Sequence, residues 1–443
     1  SGSSVVIDNV TLKSGTNVVK SGLLGANITT NGFAGCSAAF EATVRNCTIE
    51  EGVTVGCDGD QPYIGSIGGR MQGTVENCVS YATVKGTRYV GGIIGTRDNA
   101  MGFCSVTGCT FGGTVEATGR FAGGIVGGGY SNSTAPNGML PTIVGNSCTG
   151  TVSGKDGVGG ILGGDGYVAQ AWNGYEFRDN FFGGKVSGEA NVGAIIGFKD
   201  SLNKWDNITG NTFAYGCGTD KGIGGVWIVD TSCAAPTPVD GTVHVNTGDG
   251  VDECPAVTGC TWQAGYNRTD DPLGADADKL CKMIAPEFEV STAIAADGSG
   301  AAPASVRVGD TVTVNVSVSA NYVAAALSGT LDFDPAVFEL VGVSKGAGLS
   351  EGASFLPAEG AAEALFSFYG NEAAADAQGG IVVATVTLRA LKAADAATIG
   401  VKDATAAIAG DSLDHAATVG GVATLDVLAD ATLGDANGNG RVN

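Results

Sequence analysis

Val90-Gly91-Gly92-Ile93-Ile94-Gly95 returns as Ala122-Gly123-Gly124-Ile125-Val126-Gly127, as Val158-Gly159-Gly160-Ile161-Leu162-Gly163 and as Val192-Gly193-Ala194-Ile195-Ile196-Gly197. The aligned Ile93, Ile125, Ile161 and Ile195 are 32, 36 and 34 residues apart. A weaker copy ends Ile223-Gly224-Gly225-Val226, and an earlier one holds Ile64-Gly65-Ser66-Ile67-Gly68. A period of about 20 to 50 residues marks a solenoid or an array. The apolar runs are two to four residues long, β-branched and bounded by glycine. That is too short for helices and suits short strands between tight turns. Glycines at fixed places permit sharp corners and close backbone approach. Stacked coils would then pair each strand with its copies above and below, with inward Ile and Val forming ladders. The reading is a parallel β-helix, or β-solenoid, over residues 1–230. A propeller is the alternative, but its blades need about 40 residues and four strands.

Four copies also carry a cysteine segment: Asn46-Cys47-Thr48-Ile49, Asn77-Cys78-Val79-Ser80, Cys109-Thr110-Phe111 and Cys148-Thr149-Gly150. On this alignment Cys47, Cys78, Cys109 and Cys148 share one repeat position. An inward stack of free thiols is expected, because buried cysteine behaves as a small hydrophobe. Disulfides between coils in an oxidising compartment are the alternative. The other eight cysteines, Cys36, Cys57, Cys104, Cys217, Cys233, Cys254, Cys260 and Cys281, are irregular, and Cys254 and Cys260 suit a small loop closure. No Cys-x-x-Cys pair exists, and His244 and His415 lie far apart, so no zinc site is expected.

These blocks, with the opening Gly22-Leu23-Leu24-Gly25, resemble the GLUG repeats of bacterial surface proteins. The resemblance implies an exported surface protein and assigns no activity.

The chain has 443 residues, 74 of them glycine, without the strict three-residue period of collagen. Its 23 cationic and 45 acidic residues give a net charge of −22. Such acidity disfavours nucleic acid and anionic membrane surfaces. No apolar run is long enough for a membrane span, and Ser1-Gly2-Ser3-Ser4 does not read as a signal peptide, so an export signal would lie outside this sequence.

All twelve cysteines fall between Cys36 and Cys281. Residues 231–303 leave the repeat and read as a solenoid cap and linker. Within them Ala275 to Ile284 reads as a short helix, acidic first and lysine-bearing later. Ala293 to Gly300 reads as the linker.

From residue 304 alternation takes over. Val306, Val308, Val312, Val314, Val316 and Val318 share one face, with a turn at Gly309-Asp310. Strands are expected at Ala326 to Phe333, Phe338 to Ser344, Ala364 to Tyr369, Gly380 to Leu391 and Gly420 to Val427. Strands at this spacing without helices suggest a β-sandwich over residues 304–430. Arg307-Val308-Gly309-Asp310-Thr311-Val312, Leu331-Asp332-Phe333-Asp334-Pro335 and Gly380-Ile381-Val382-Val383-Ala384-Thr385 resemble a cohesin domain. That implies a jelly-roll sandwich that binds dockerin modules. Ala326 and Ser328 stand where one well-known class carries polar contact residues.

Residues 431–443 end in Gly434-Asp435-Ala436-Asn437-Gly438-Asn439-Gly440-Arg441, which matches the start of an EF-hand-type calcium loop. Asp435, Asn437 and Asn439 would supply side-chain oxygens and Arg441 its carbonyl to Ca²⁺. The segment resembles the first half-loop of a dockerin. The acidic twelfth ligand would fall at position 446, so weak or no calcium binding is expected here and full binding in a complete loop.

Two further chemistries are candidates on the solenoid. Asp165, Glu176, Asp179, Asp200 and Asp206 would serve a polysaccharide-cleaving enzyme if two of them face each other. Tyr130, Tyr167, Trp172, Tyr175 and Trp205 would suit sugar stacking. The favoured reading is a secreted, non-catalytic surface or scaffold protein that docks dockerin-bearing partners in a polysaccharide-handling or adhesive assembly. The alternatives are a glycan-binding adhesin and a β-helix enzyme with a docking tail.

Overall fold

The computed structural model describes residues 4–19, 22–23, 27–28, 41–56, 62–71, 73–98, 104–130, 142–165, 176–199, 208–228, 261–266, 281–297, 300–357, 365–369, 380–408, 411 and 413–430. The chain divides into two compact units, Ser1–Ile284 and Ala285–Asn443.

The first unit is a β-solenoid with five sheets, whose coils stack strand on strand in parallel. One sheet runs Ser4–Asp8, Glu41–Arg45, Gly73–Glu76, Cys104–Thr107, Thr142–Val144, Glu176–Arg178 and Ile208–Thr209. Its inward ladder is Val44, Val75, Val106, Ile143, Phe177 and Ile208, in register and buried. The Gly-Gly-Ile cores stack as expected: Ile67, Ile93, Ile125, Ile161 and Ile195 are fully buried.

The corner after that first sheet explains the Asn-Cys dipeptides. Asn9, Asn46, Asn77, Gly108, Gly145, Asp179 and Gly210 succeed one another there with φ between 52 and 68°. Left-handed backbone suits Gly, Asn and Asp and penalises other residues. The next position is an inward ladder of small polar side chains: Cys47, Cys78, Cys109, Asn146, Asn180, Asn211 and Cys281. Cys148 therefore does not continue the cysteine stack. It lies two residues on, in the ladder of Ile49, Ser80, Phe111 and Phe182.

The upper asparagines bond from coil to coil. The Asn146 backbone N–H and Nδ2 both donate to Asn180 Oδ1, at 3.0 Å each. The Asn180 N–H and Nδ2 donate to Asn211 Oδ1 at 3.1 and 2.9 Å. Nδ2 of Asn146, Asn180 and Asn211 also reaches the carbonyls of Val106, Ile143 and Phe177. All three amides are buried and fully partnered, the condition on which a polar group is tolerated in a core.

Above the repeats, Thr261–Tyr266 pairs antiparallel with Ile223–Ile228. Cys281–Ile284 pairs in parallel with Asn211–Ala214, so the end of the expected helix is a strand. Cys281 is nearly buried on the open edge of the stack. Backbone pairing with that edge outweighs the local charge pattern that suggested a helix. Residues 229–260 and 267–280 lie outside the described residues.

The second unit is a two-sheet sandwich. One sheet orders Phe338–Lys345, Ile381–Ala390, Thr311–Ala320, Phe288–Ile294 and Thr418–Val419. The other orders Ser305–Arg307, Ala423–Leu428, Ala394–Ile408, Ala324–Phe333, Leu365–Tyr369 and Ser354–Pro357. Val312, Val314, Val316 and Val318 form the buried face of the first, and Leu327, Leu331, Ile399 and Leu425 that of the second. Across the core Thr292 Oγ1 donates to the Ile399 carbonyl at 2.5 Å.

Val306 and Val308 do not share the face of Val312, Val314, Val316 and Val318, because the turn at Gly309-Asp310 hands the chain over from a strand of the other sheet, Ser305–Arg307. Two further features differ from the sequence reading. Ala293 and Ile294, expected in a linker, end the strand Phe288–Ile294, which pairs with Thr311–Ala320 through seven residues. Glu289, Ser291 and Ala293 alternate with Phe288, Val290 and Thr292 too briefly to stand out before an alanine-rich stretch. The strand Ala394–Ile408, the longest of the unit, was not expected.

Candidate functional site

The outer face of the second sandwich sheet carries the positions expected to contact a partner. In Ala324–Phe333, Leu327, Gly329 and Leu331 are buried, so Ala326 and Ser328 point away from the core and are half-buried. Thr405 on the neighbouring strand completes a neutral hydroxyl pair, with Ser328 Oγ and Thr405 Oγ1 3.1 Å apart. Lys402 Nζ lies 3.7 Å from Asp332 Oδ1 beside it. Both side chains of that ion pair are substantially exposed, so it adds little stability. Asp403, next to Lys402, is exposed with φ 54°. Asp403 and Thr405 were missed because their strand was missed.

The candidate catalytic carboxylates do not form an acid–base pair among the described residues. Glu176 and Asp179 both engage Arg178, at 3.8 and 2.7 Å. One guanidinium thus serves both acids. Asp8 is treated similarly: the Asn46 amide and the Arg45 guanidinium hold its carboxyl below the usual range. The Asp165 side chain is not described, and Asp200 and Asp206 lie outside the described residues.

Tyr167, Trp172, Tyr175 and Trp205 lie outside the described residues, and the side chain of Tyr130 is not described. A different aromatic row stands on the solenoid flank. Tyr63, Tyr89 and Phe121, with φ of 61, 52 and 63°, occupy one corner of successive coils; Gly157 and Asn191 continue it. Tyr63 and Tyr89 stack with centroids 5.2 Å apart and planes at 18°, and Tyr89 and Phe121 are 5.1 Å apart. The rings lie over glycines of the adjoining sheet: a Cβ at Gly128 would strike the Tyr89 ring, and one at Gly164 the Phe121 ring. Their faces are covered by one another and by protein, so the row packs the flank and presents no open platform for a sugar. Its sequence signal is the aromatic residue just before three of the cores, as in Tyr63-Ile64-Gly65, Tyr89-Val90-Gly91 and Phe121-Ala122-Gly123.

The described thiols Cys47, Cys78, Cys109, Cys148, Cys217 and Cys281 are free and buried. Cys36, Cys57, Cys233, Cys254 and Cys260 lie outside the described residues. Hydrogen bonding with Cys109 draws Cys78 down and pushes Cys109 well up. Burial pushes the Cys148 thiol up to about 12. This fixes a pH dependence. Below about pH 9 the thiol is protonated whether the chain is folded or not. Above it only the unfolded chain loses the proton, so Cys148 contributes a fall in stability of about 1.4 kcal/mol per pH unit until about pH 12, beside the falls from the other thiols that burial pushes up, Cys47, Cys217 and Cys281, and from Cys109. Urea titrations from neutral to alkaline pH should show this fall, and Cys148→Ser, which places serine where the same ladder already holds Ser80, should make the slope shallower by about that amount. An unchanged slope in the variant would contradict the assignment. Among the described residues no cluster of His, Cys, Asp and Glu is placed to hold a metal. Asp435, Asn437, Asn439 and Arg441 lie outside the described residues. No helix among the described residues is long and apolar enough to cross a membrane.

Residues 301–424 match the family model of the cohesin domain. Solved structures similar to part of this chain include a cohesin module from a Clostridium perfringens family 33 glycoside hydrolase: 10% identity, 32% of this chain and 98% of that chain, TM-score 0.26. A non-cellulosomal cohesin from Archaeoglobus fulgidus matches at 11% identity, over 33% of this chain and 92% of that chain, TM-score 0.24. A chain of a type I cohesin–dockerin complex from Clostridium thermocellum matches at 15% identity, over 32% of this chain and 95% of that chain, TM-score 0.24. No curated protein matches the chain.

Proposed function

We propose that the chain is a non-catalytic, secreted scaffold whose sandwich docks dockerin-bearing proteins and whose solenoid, built of GLUG-type repeats, is the element so coupled, in a polysaccharide-handling or adhesive assembly. The observation that carries this reading is the cohesin match over residues 301–424 on a sandwich whose second sheet turns the half-buried Ala326, Ser328 and Thr405 to its outer face. The hydroxyl-bearing part of this sheet face suits a protein partner: Ser328 and Thr405 offer hydrogen bonds for register and desolvate more cheaply than charges. The Arg178 pairing of Glu176 and Asp179 supports a binding role for the solenoid over a hydrolytic one. The Asp435–Arg441 half-loop, completed by further residues, would hold Ca²⁺ and make the chain a dockerin bearer as well.

The test is calorimetric titration of the full chain with calcium-loaded dockerin modules. A one-to-one complex is expected, and Ser328→Arg, which plants a long charged side chain on the face, should weaken it about a hundred-fold without changing the circular dichroism. Absence of binding to every dockerin tried would refute the reading.

A further inference from the structure

Between Ser328 and Thr330 the pairing with Ala394–Ile408 slips. Ser328 faces Thr405, whereas Thr330 faces Lys402. The inserted residue makes a β-bulge, and the backbone turns left-handed at Asp403. A bulge re-aims the side chains around it. Val401 and Ala404 remain buried, while Lys402 is half-buried and Asp403 exposed, so two consecutive side chains leave on the outer face.

The charges there are unequally engaged. Lys402 pairs with Asp332. Asp403 makes no ion pair or side-chain hydrogen bond among the described residues. It stands between the Lys402–Asp332 pair and the neutral hydroxyls of Ser328 and Thr405.

We propose that Asp403 is the charge by which this face chooses its partner, and that the partner presents a Lys or Arg side chain against it. The inference rests on the docking reading above. A carboxylate lifted from the sheet by a bulge is fixed by backbone, so it meets a cation with little loss of side-chain freedom. Left-handed backbone at a residue other than glycine costs about 1 kcal/mol or more, and Asp bears that cost better than most side chains.

The experiment uses the full chain and three variants against calcium-loaded dockerins, at low and at high salt. Asp403→Asn keeps the bulge and removes the charge; it should weaken binding about ten-fold and flatten the salt dependence. Asp403→Gly favours the same backbone and should do the same, which separates charge from bulge geometry. Asp403→Lys should abolish binding, and Lys→Glu or Arg→Glu at the facing partner position should restore it. A dockerin bound equally by wild type and all three variants overturns the inference and leaves the docking reading standing. No binding by wild type overturns both.

Discussion

Gly123→Ala will unfold the solenoid under conditions in which the wild-type chain is folded. A Cβ at Gly123 would overlap the Val126 carbonyl oxygen, and it would lie 2.6 Å from the Gly163 nitrogen of the neighbouring coil. Both obstacles are backbone held by ladders on either side, so neither can retreat without breaking register. Gly91, Gly159 and Gly193 meet the same pair of obstacles. That repetition is the physical reason for the glycines four residues apart in each core: two neighbouring strands pass too close for any side chain. The expected cost is about 3 kcal/mol. Gly342→Ala is the control, because nothing lies within 4 Å of a Cβ there; it should shift stability by less than about 0.5 kcal/mol. Chemical denaturation followed by circular dichroism reads both, and equal midpoints for the two variants would contradict the close approach.

Asn180→Ala is expected to cost a similar amount for a different reason. The Asn180 amide accepts from Asn146 through two donors and gives its own protons to Ile143 O and Asn211 Oδ1. Its removal strands these groups in a fully buried ladder, at about 1 to 3 kcal/mol for each group left unpartnered, part of it recovered by relaxation. About 3 kcal/mol overall is expected. Asn180→Cys should cost about half as much, since Cys47, Cys78 and Cys109 already fill this position lower in the stack, with sulfur directed at backbone carbonyls. Denaturation midpoints order the three proteins, and a cysteine variant weaker than the alanine one would contradict the ladder.

The sequence was informative where one residue type has one physical use. Gly-Gly-Ile cores marked the coil because close approach at the first glycine of each admits no side chain, and alternating valines marked Thr311–Ala320 because a strand buries every second side chain. It misled where identity and position part company. Cys148 looks like the fourth member of a cysteine stack, yet the left-handed residue before each member, Asn46, Asn77, Gly108 and Gly145, sets the frame and gives the place to Asn146. Alternation failed for Ala394–Ile408 because left-handed residues at Ala396 and Asp403, with φ of 46 and 54°, interrupt the strand. Its alanine-rich composition gave no second signal. The bulge that hid the strand also raises Asp403 from the face, so the part of the candidate site least legible in sequence is the part that departs from a regular sheet.

Hydrogen exchange of the full chain, with and without a saturating calcium-loaded dockerin, tests the central claim most directly. Protection confined to Ala324–Phe333 and Ala394–Ile408, with the solenoid and Thr311–Ala320 unchanged, is the result this account predicts. Protection of Thr311–Ala320 and Ile381–Ala390 instead, or of the solenoid alone, would contradict it.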